Sequence, residues 1–309
     1  GSRMTDATRN ILVVAHALRE NTVAGARRVV EAVHAAGLQP VVPGDDPELA
    51  AALGDLDTVV LGEGGIDVTD IEVAIVLGGD GTILRAAELV RAASVPLLGV
   101  NMGHVGFLAE LEADGVDEAI RRALARDYEI HERMTLSVEV RDADGDVVYS
   151  TWALNEATVE KASRERMLEV MIEIDDRPLS AFGCDGVVVA TPTGSTAYNF
   201  SAGGPVVWPS VQALCLVPLS AHALFARPVV LGPETSVSID VLQRNQGRGV
   251  LWCDGRRSHD LPPGARVVVR RSGRPVRLAR LHRSAFTDRL VRKFQLPIAG
   301  WRGGAEASL

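Results

Sequence analysis

The chain has 309 residues, enough for two domains with their own cores, and at 47% hydrophobic, 23% charged and 4% aromatic it has the composition of a soluble globular protein. A formal net charge of −8 argues against a general nucleic-acid partner, and three widely spaced cysteines, Cys184, Cys215 and Cys253, fit neither a disulfide framework nor zinc-ligand spacing. Gly1-Ser2-Arg3 ahead of Met4 reads as a cloning scar with no signal peptide after it, and no apolar run approaches the roughly 18 residues that span a bilayer, so a cytoplasmic protein with no membrane partner is expected.

In chain order, Ile11 to Val14 reads as a short buried strand and Asn21 to Ala36 as an amphipathic helix through Val23, Ala26, Val30 and Val33. Val41-Val42 and Val59 to Leu61 are further strands around a helical patch at Leu49 to Leu53. Val73 to Leu77, Leu97 to Val100 and a helix near Val116 to Ala125 complete an alternating β/α series, the pattern of a parallel, Rossmann-like sheet. After about Ile130 the texture changes. Leu136, Val138 and Val140 alternate with polar residues, Asp142 to Asp146 makes a turn, and Val147 to Trp152 resumes an extended pattern. Met171 to Ile174 and Leu179 to Phe182 form a hairpin. Extended runs recur at Gly186 to Ala190, Ala213 to Val217, Val229 to Leu231, Val237 to Val241, Gly249 to Cys253, Val267 to Arg270 and Val276 to Leu281. The expected organisation is an α/β domain over 4–130, a β-rich domain over 131–282, and a helix and tail over 283–309 that return to the first domain through Phe286, Leu290 and Phe294.

Two stretches carry the chemistry. The first is the apolar run Val73 to Leu77 followed by Gly78, Gly79, Asp80, Gly81 and Thr82, then Ile83, Leu84, Ala87 and Val90 at helical spacing. Strand, glycine turn and helix in that order place the turn at the carboxyl edge of a sheet, where open α/β folds bind ligands. Glycines let the backbone approach a phosphate closely, and a helix N-terminus favours anions. The turn has no P-loop lysine and does not match GxGxxG. A plain βα turn with Asp80 solvated or capping the helix would leave the same pattern.

The second is Asp185 to Pro205, DGVVVATPTGSTAYNFSAGGP. Gly186 to Ala190 is a strand, Pro192 and Gly194 fix a turn, and Ser195 or Thr196 offers an N-cap for one short helix over Ser195 to Ser201. Clustered hydroxyls and backbone N–H groups suit phosphate or the polar edge of a purine, and Tyr198 offers a flat face to a base. A hydroxyl-rich capped turn with Tyr198 in the core is the competing reading.

Gly-Gly-Asp-Gly-Thr after a buried strand resembles the turn shared by NAD kinases, by diacylglycerol and sphingosine kinases, and by phosphofructokinases. TPTGSTAY followed by AGGP, Leu154-Asn155-Glu156, and VNMGHVGFL at Val100 to Leu108 resemble the NAD kinase family in particular. The resemblance implies transfer of a phosphoryl group from ATP, or in some relatives polyphosphate, to the adenosine-ribose 2′-hydroxyl of NAD to give NADP. It also implies Mg²⁺ with ligands unknown, and a homodimer or homotetramer whose sites are shared between subunits. Carried onto this chain, Asp80 becomes the base. Gly78, Gly79, Gly81, Thr82 and Arg85 serve the phosphate donor. Asp80, Gly81, Asn155, Glu156, Arg166 (with Arg164 a rival), Asp185, Thr196, Ala197, Tyr198, Asn199, Phe200 and Ser201 bind NAD, with Asp185 at the nicotinamide ribose. Some relatives have a basic residue where this chain has Gly183, which weakens any account of the nicotinamide end. Neither histidine is expected to be the base: His104 sits in a glycine-bracketed loop suited to phosphate contact and His222 is read as structural, with Cys184 an inert buried thiol and the arginines from Arg256 to Arg277 a solvated sheet face. The alternatives are a lipid or small-molecule kinase of the same turn type and a non-catalytic dinucleotide sensor.

Overall fold

Continuous apolar runs and alternating runs sort the chain into two kinds of sheet. In the computed structural model the described residues are 8–103, 105–223, 226–243, 247–281 and 285–299. The chain divides into two units, the first taking the N-terminal stretch to Glu132 together with the C-terminal stretch from Arg277, and the second taking Arg133–Val276.

The first unit runs β1 (Asn10–Ala15), α1 (Glu20–Ala35), β2 (Gln39–Pro43), α2 (Pro47–Ala52), β3 (Val59–Leu61), β4 (Ile71–Gly78), α3 (Asp80–Val90), β5 (Leu97–Asn101), β6 (Leu111–Glu112), α4 (Val116–Leu124) and β7 (Glu129–Arg133). The strands order as β3-β2-β1-β4-β5, with parallel pairing at each step. That order reverses between β1 and β4, the crevice where doubly wound sheets bind ligands. β4 is buried on both faces, which is why its sequence is apolar without alternation. Val73, Ile75 and Leu77 pack with Val29, Val30 and Val33 of α1, while Ala74 and Val76 on the opposite face are fully buried too.

The second unit runs β8 (Leu136–Arg141), β9 (Val147–Ala153), β10 (Glu156–Lys161), β11 (Leu168–Ile174), β12 (Arg177–Cys184), β13 (Gly186–Ala190), α5 (Tyr198–Ser201), β14 (Leu214–Leu219), β15 (Val229–Leu231), β16 (Val237–Val241), β17 (Gly249–Cys253), β18 (Arg257–Leu261) and β19 (Arg266–Arg271). Two six-stranded antiparallel sheets, β15-β14-β13-β10-β17-β18 and β12-β11-β16-β19-β8-β9, share one core. Val187 and Val189 of β13 point into that core, and Val188 and Ala190 pack against Val207, Cys215 and Val217 on the outer face.

The chain then returns through β20 (Val276–Arg280) and α6 (Phe286–Phe294). β20, expected as the last strand of the β-rich domain, instead joins the first unit's sheet between β5 and β7, so the boundary falls near Val276 rather than at 282. Its short apolar pattern suits either sheet, and parallel pairing with β5 decides. As expected, α6 packs on the first unit, with the Phe107 ring 5.7 Å from that of Phe286 and 6.1 Å from that of Phe294.

Candidate active site

In the first unit, β4 ends at Gly78 and α3 starts at Asp80, with Gly79 as its N-cap. A Cβ on Gly78 would overlap the Thr82 side chain, so glycine is required there by close approach. At Gly79 and Gly81 a Cβ would meet nothing within 4 Å, which leaves space beside the helix N-terminus. The Thr82 and Ile83 N–H groups donate to Gly79 O at 3.1 and 3.2 Å, the Asp80 and Gly81 N–H groups lie ahead of the first intrahelical bond, and the helix dipole favours negative charge there.

Asp80 is half-buried and fixed by backbone. Phe107 N–H donates to its Oδ2 at 3.0 Å and its Oδ1 at 3.2 Å, and Leu108 N–H donates to Oδ1 at 3.1 Å. A Cβ on Gly106 would lie 2.5 Å from Asp80 Oδ1, so only glycine lets this loop close on the carboxylate. The stretch Val100 to Leu108 thus meets the glycine turn through its last three residues. His104 lies outside the described residues. Helix α6 backs the same loop: Arg289 Nη1 donates to the carbonyls of Phe107 at 2.6 Å and Ala109 at 2.7 Å, and Lys293 Nζ donates to Val105 O at 2.9 Å.

Arg85, expected to bind phosphate, is engaged otherwise. Its guanidinium pairs with Asp46 and Asp45, both at 3.0 Å, and the two carboxylates spend the charge that a phosphate would need.

In the second unit, Asn155, Glu156, Ala197 and Tyr198 come together with Thr158, Glu160, Trp252, Asp254 and Gly255 around a pocket of about 450 Å³. Glu156 opens β10, with Asn155 directly ahead of it. Thr191 holds its back: Oγ1 donates to Leu154 O at 2.5 Å, and the Thr191 N–H to Asn155 O at 3.0 Å. A Cβ at Gly194 would overlap the Asn155 carbonyl, which explains the glycine in the TPTG turn. Glu156 is buried and accepts the Tyr198 N–H at 3.2 Å. Burial, and then the nearby Asp254 charge, push its carboxyl up to about 7. Tyr198 is exposed rather than core; its hydroxyl donates to Glu160 at 2.8 Å, and desolvation together with that bond pushes the phenol up to about 12.

The single helix expected over Ser195 to Ser201 is two pieces, a 3-10 turn at Thr193–Thr196 and α5, broken at Ala197 where φ is −96° and ψ −129°. Neither Ser195 nor Thr196 caps α5; Ser195 Oγ accepts the Val207 N–H at 2.9 Å and donates to Pro192 O. Asn199, expected to bind NAD, is fully buried, and its Nδ2 donates to the carbonyls of Ser195 and Pro205, both at 3.0 Å. Thr196, Phe200 and Ser201 do not line the pocket, and neither do Asp185 and Arg166. Asp185 pairs with Lys161 at 2.8 Å, which pulls its carboxyl below the usual range, and Arg166 is exposed on the loop after β10. Cys184 is buried, and desolvation pushes its thiol up to about 12, against any redox role.

Sequence reasoning missed Asp254, Trp252, Thr158 and Glu160. The signal for Asp254 was the Asp-Gly pair between two strand patterns, a hairpin-turn signature. Among the described residues no group of three or more His, Cys, Asp or Glu side chains could hold a metal ion.

The comparisons with known proteins bear on both units. The ATP-NAD kinase N-terminal domain family matches residues 11–128 and the ATP-NAD kinase C-terminal domain family matches residues 154–281. An NAD kinase of Leifsonia xyli is 62% identical over 298 residues, covering 96% of this chain and 98% of its own. The chain belongs to the NAD kinase family. NAD kinase 2 of Streptomyces coelicolor is 54% identical over 96% of this chain and 97% of its own. The fold is also that of a yeast NADH kinase complexed with NADH (TM-score 0.83, 20% identity, 95% of this chain and 89% of that one). An Archaeoglobus fulgidus NAD kinase in complex with ATP gives a TM-score of 0.71 at 23% identity, over 94% of this chain and 100% of that one. No helix among the described residues is long and apolar enough to cross a membrane.

Proposed function

We propose that this NAD kinase acts through Asp80, which orients the adenosine-ribose 2′-hydroxyl of NAD and takes its proton. The bond between the 2′-oxygen and the γ-phosphorus of ATP forms, the bond from that phosphorus to the ADP oxygen breaks, and NADP and ADP leave. A carboxylate is a weak base for an alcohol. Phosphoryl-transfer transition states are loose, so orientation and late proton acceptance matter more than early deprotonation. Two backbone amides holding Asp80 supply that orientation, and this is the observation that carries the reading.

Gly79, Gly81 and the first turn of α3 leave room and dipole for donor phosphates, with Thr82 beside them. Asn155, Glu156, Ala197 and Tyr198 bind a nucleoside of NAD in the second unit's pocket, Asp185 serves the nicotinamide ribose in a homo-oligomer, and Arg166 adds a positive charge for the dinucleotide. Mg²⁺ would be held largely by the donor's phosphates and water, as hard cations of that kind are, and would neutralise negative charge there. The test is NADP formation from ATP, Mg²⁺ and NAD by wild type and Asp80→Asn. Equal rates would sink the assignment, and NADP formation with polyphosphate in place of ATP would widen the donor class.

A further inference from the structure

The pocket's most connected residue is one that no binding role requires. Asp254 is the first residue of the tight turn between β17 and β18, with φ +57° there and +64° at Gly255, and the Arg256 N–H closes the turn onto Cys253 O at 3.0 Å. Its carboxylate is buried against the chain one hundred residues earlier. Leu154 N–H donates to Oδ2 at 2.8 Å, and Asn155 N–H and Glu156 N–H donate to Oδ1 at 2.7 Å and 3.3 Å. Arg257 Nη2 completes the set at 3.2 Å. In return the Asp254 N–H donates to Glu156 O at 3.0 Å.

We propose that Asp254 is a positioning residue for dinucleotide binding, gathering three consecutive backbone amides so that Asn155 and Glu156 face the pocket, and setting with its charge the pH range over which Glu156 binds. The proposal rests on the reading of Glu156 as an NAD ligand. Three amides on one carboxylate define the backbone direction at residues 154–156, because charge-assisted hydrogen bonds are both stronger and more directional than neutral ones. The electrostatic half follows from what surrounds Glu156. Asp254 faces it from the β17–β18 hairpin and is itself paired with Arg257, Cys253 lies beside Asp254, Glu160 is on its own strand, and Tyr198 reaches it from α5. The paired position on β13 is Ala190, which carries no charge. Asp254 therefore favours the proton on Glu156, and Arg257, by neutralising Asp254, opposes it. A protonated Glu156 loses acceptor capacity for ribose hydroxyls.

The test is the NAD dissociation constant by calorimetry from pH 5.5 to 8.5 on the full chain. Wild type is expected to weaken about tenfold between pH 8 and pH 6 as Glu156 takes up its proton. Asp254→Asn suits the turn, since Asn tolerates positive φ, yet it removes the charge and one acceptor. It should weaken binding at pH 8 by about tenfold and move the midpoint to lower pH. Arg257→Gln should move the midpoint the other way, and it carries the test alone if Asp254→Asn does not fold. Opposite shifts are not produced by a purely structural role. Wild-type affinity and midpoint in Asp254→Asn, or shifts of the same sign in both variants, would overturn the proposal. Glu156→Gln should abolish the pH dependence; wild-type affinity and profile in that variant would instead remove the reading of Glu156 on which the proposal stands.

Discussion

The Phe107 N–H donates to both oxygens of Asp80, at 3.0 and 3.2 Å, so a residue 27 positions away fixes the plane of the carboxylate. An amide at position 80 would turn an NH₂ toward one of the donors in that loop and lose an acceptor. Asp80→Asn and Asp80→Ala are expected to keep the fold and NAD binding while lowering kcat on the order of 10² or more. Steady-state NADP formation, with calorimetric NAD binding alongside, checks both halves; full activity in Asp80→Ala contradicts the base assignment.

Gly106 gives a subtler test, because it touches the base without touching any chemistry of its own. A Cβ there would sit 2.5 Å from Oδ1 and 2.9 Å from Cγ of Asp80, closer than real contacts allow, so the carboxylate must shift. Misplacement by about an ångström costs as much as 10²-fold in positioned reactions. Gly106→Ala should lower kcat at least about tenfold with little change in melting temperature. Wild-type kcat in a folded variant would show that the carboxylate tolerates displacement.

Arg289 extends the same chain of support to α6. It is largely buried, donates to Phe107 O and Ala109 O, and lies 3.4 Å from Glu110, whose side chain is 4% exposed; burial lowers the guanidinium below the usual arginine range. Removing one member of a buried pair costs roughly 3 kcal/mol. Arg289→Ala should lose about that much in urea denaturation, and should lower kcat through the loosened amides at Phe107 and Leu108. Arg289→Lys keeps the charge but not the planar group whose Nη1 donates to both carbonyls while Nη2 faces Glu110, so an intermediate effect is expected. Stability loss with unchanged kcat would confine α6 to a structural role.

What could be read from the residues depended on whether their partners were local. The β4 run and its glycine turn are legible because a doubly buried strand writes its whole environment into five adjacent residues, Val73 to Leu77. The helix at Phe286 to Phe294 is legible from the helical spacing of Phe286, Leu290 and Phe294, although Phe107, on which it packs, lies far earlier in the chain. β20 was assigned to the wrong sheet because the apolar pattern of a short strand names a burial state and not a partner. Arg85 looked available because its acidic partners, Asp45 and Asp46, lie forty residues earlier in a loop. Asn199 matched a binding motif, yet its amide closes the 195–205 loop. Asp254 is legible as a turn residue from its Asp-Gly pair but not as a site residue, because it acts on backbone amides, which have no letter in the sequence.

Glu156 links the pocket to folding. Its carboxyl sits at about 7 in the folded chain against an ordinary 4.5, chiefly through burial. Between those values the folded chain holds a proton that the unfolded chain has released, so this residue's contribution is complete below pH 4.5 and lost as pH rises through 7. The full span corresponds to roughly 3 kcal/mol, reached only if the unfolded value is unperturbed. Glu156→Gln removes the titration while keeping the shape of the side chain. Urea unfolding of wild type and Glu156→Gln from pH 5 to 8 should therefore give stability curves that diverge as pH rises, wild type falling relative to the variant by roughly 1–3 kcal/mol. Parallel curves would mean that Glu156 is already ionised at low pH, with its charge accommodated by the Tyr198 N–H and the surrounding pocket.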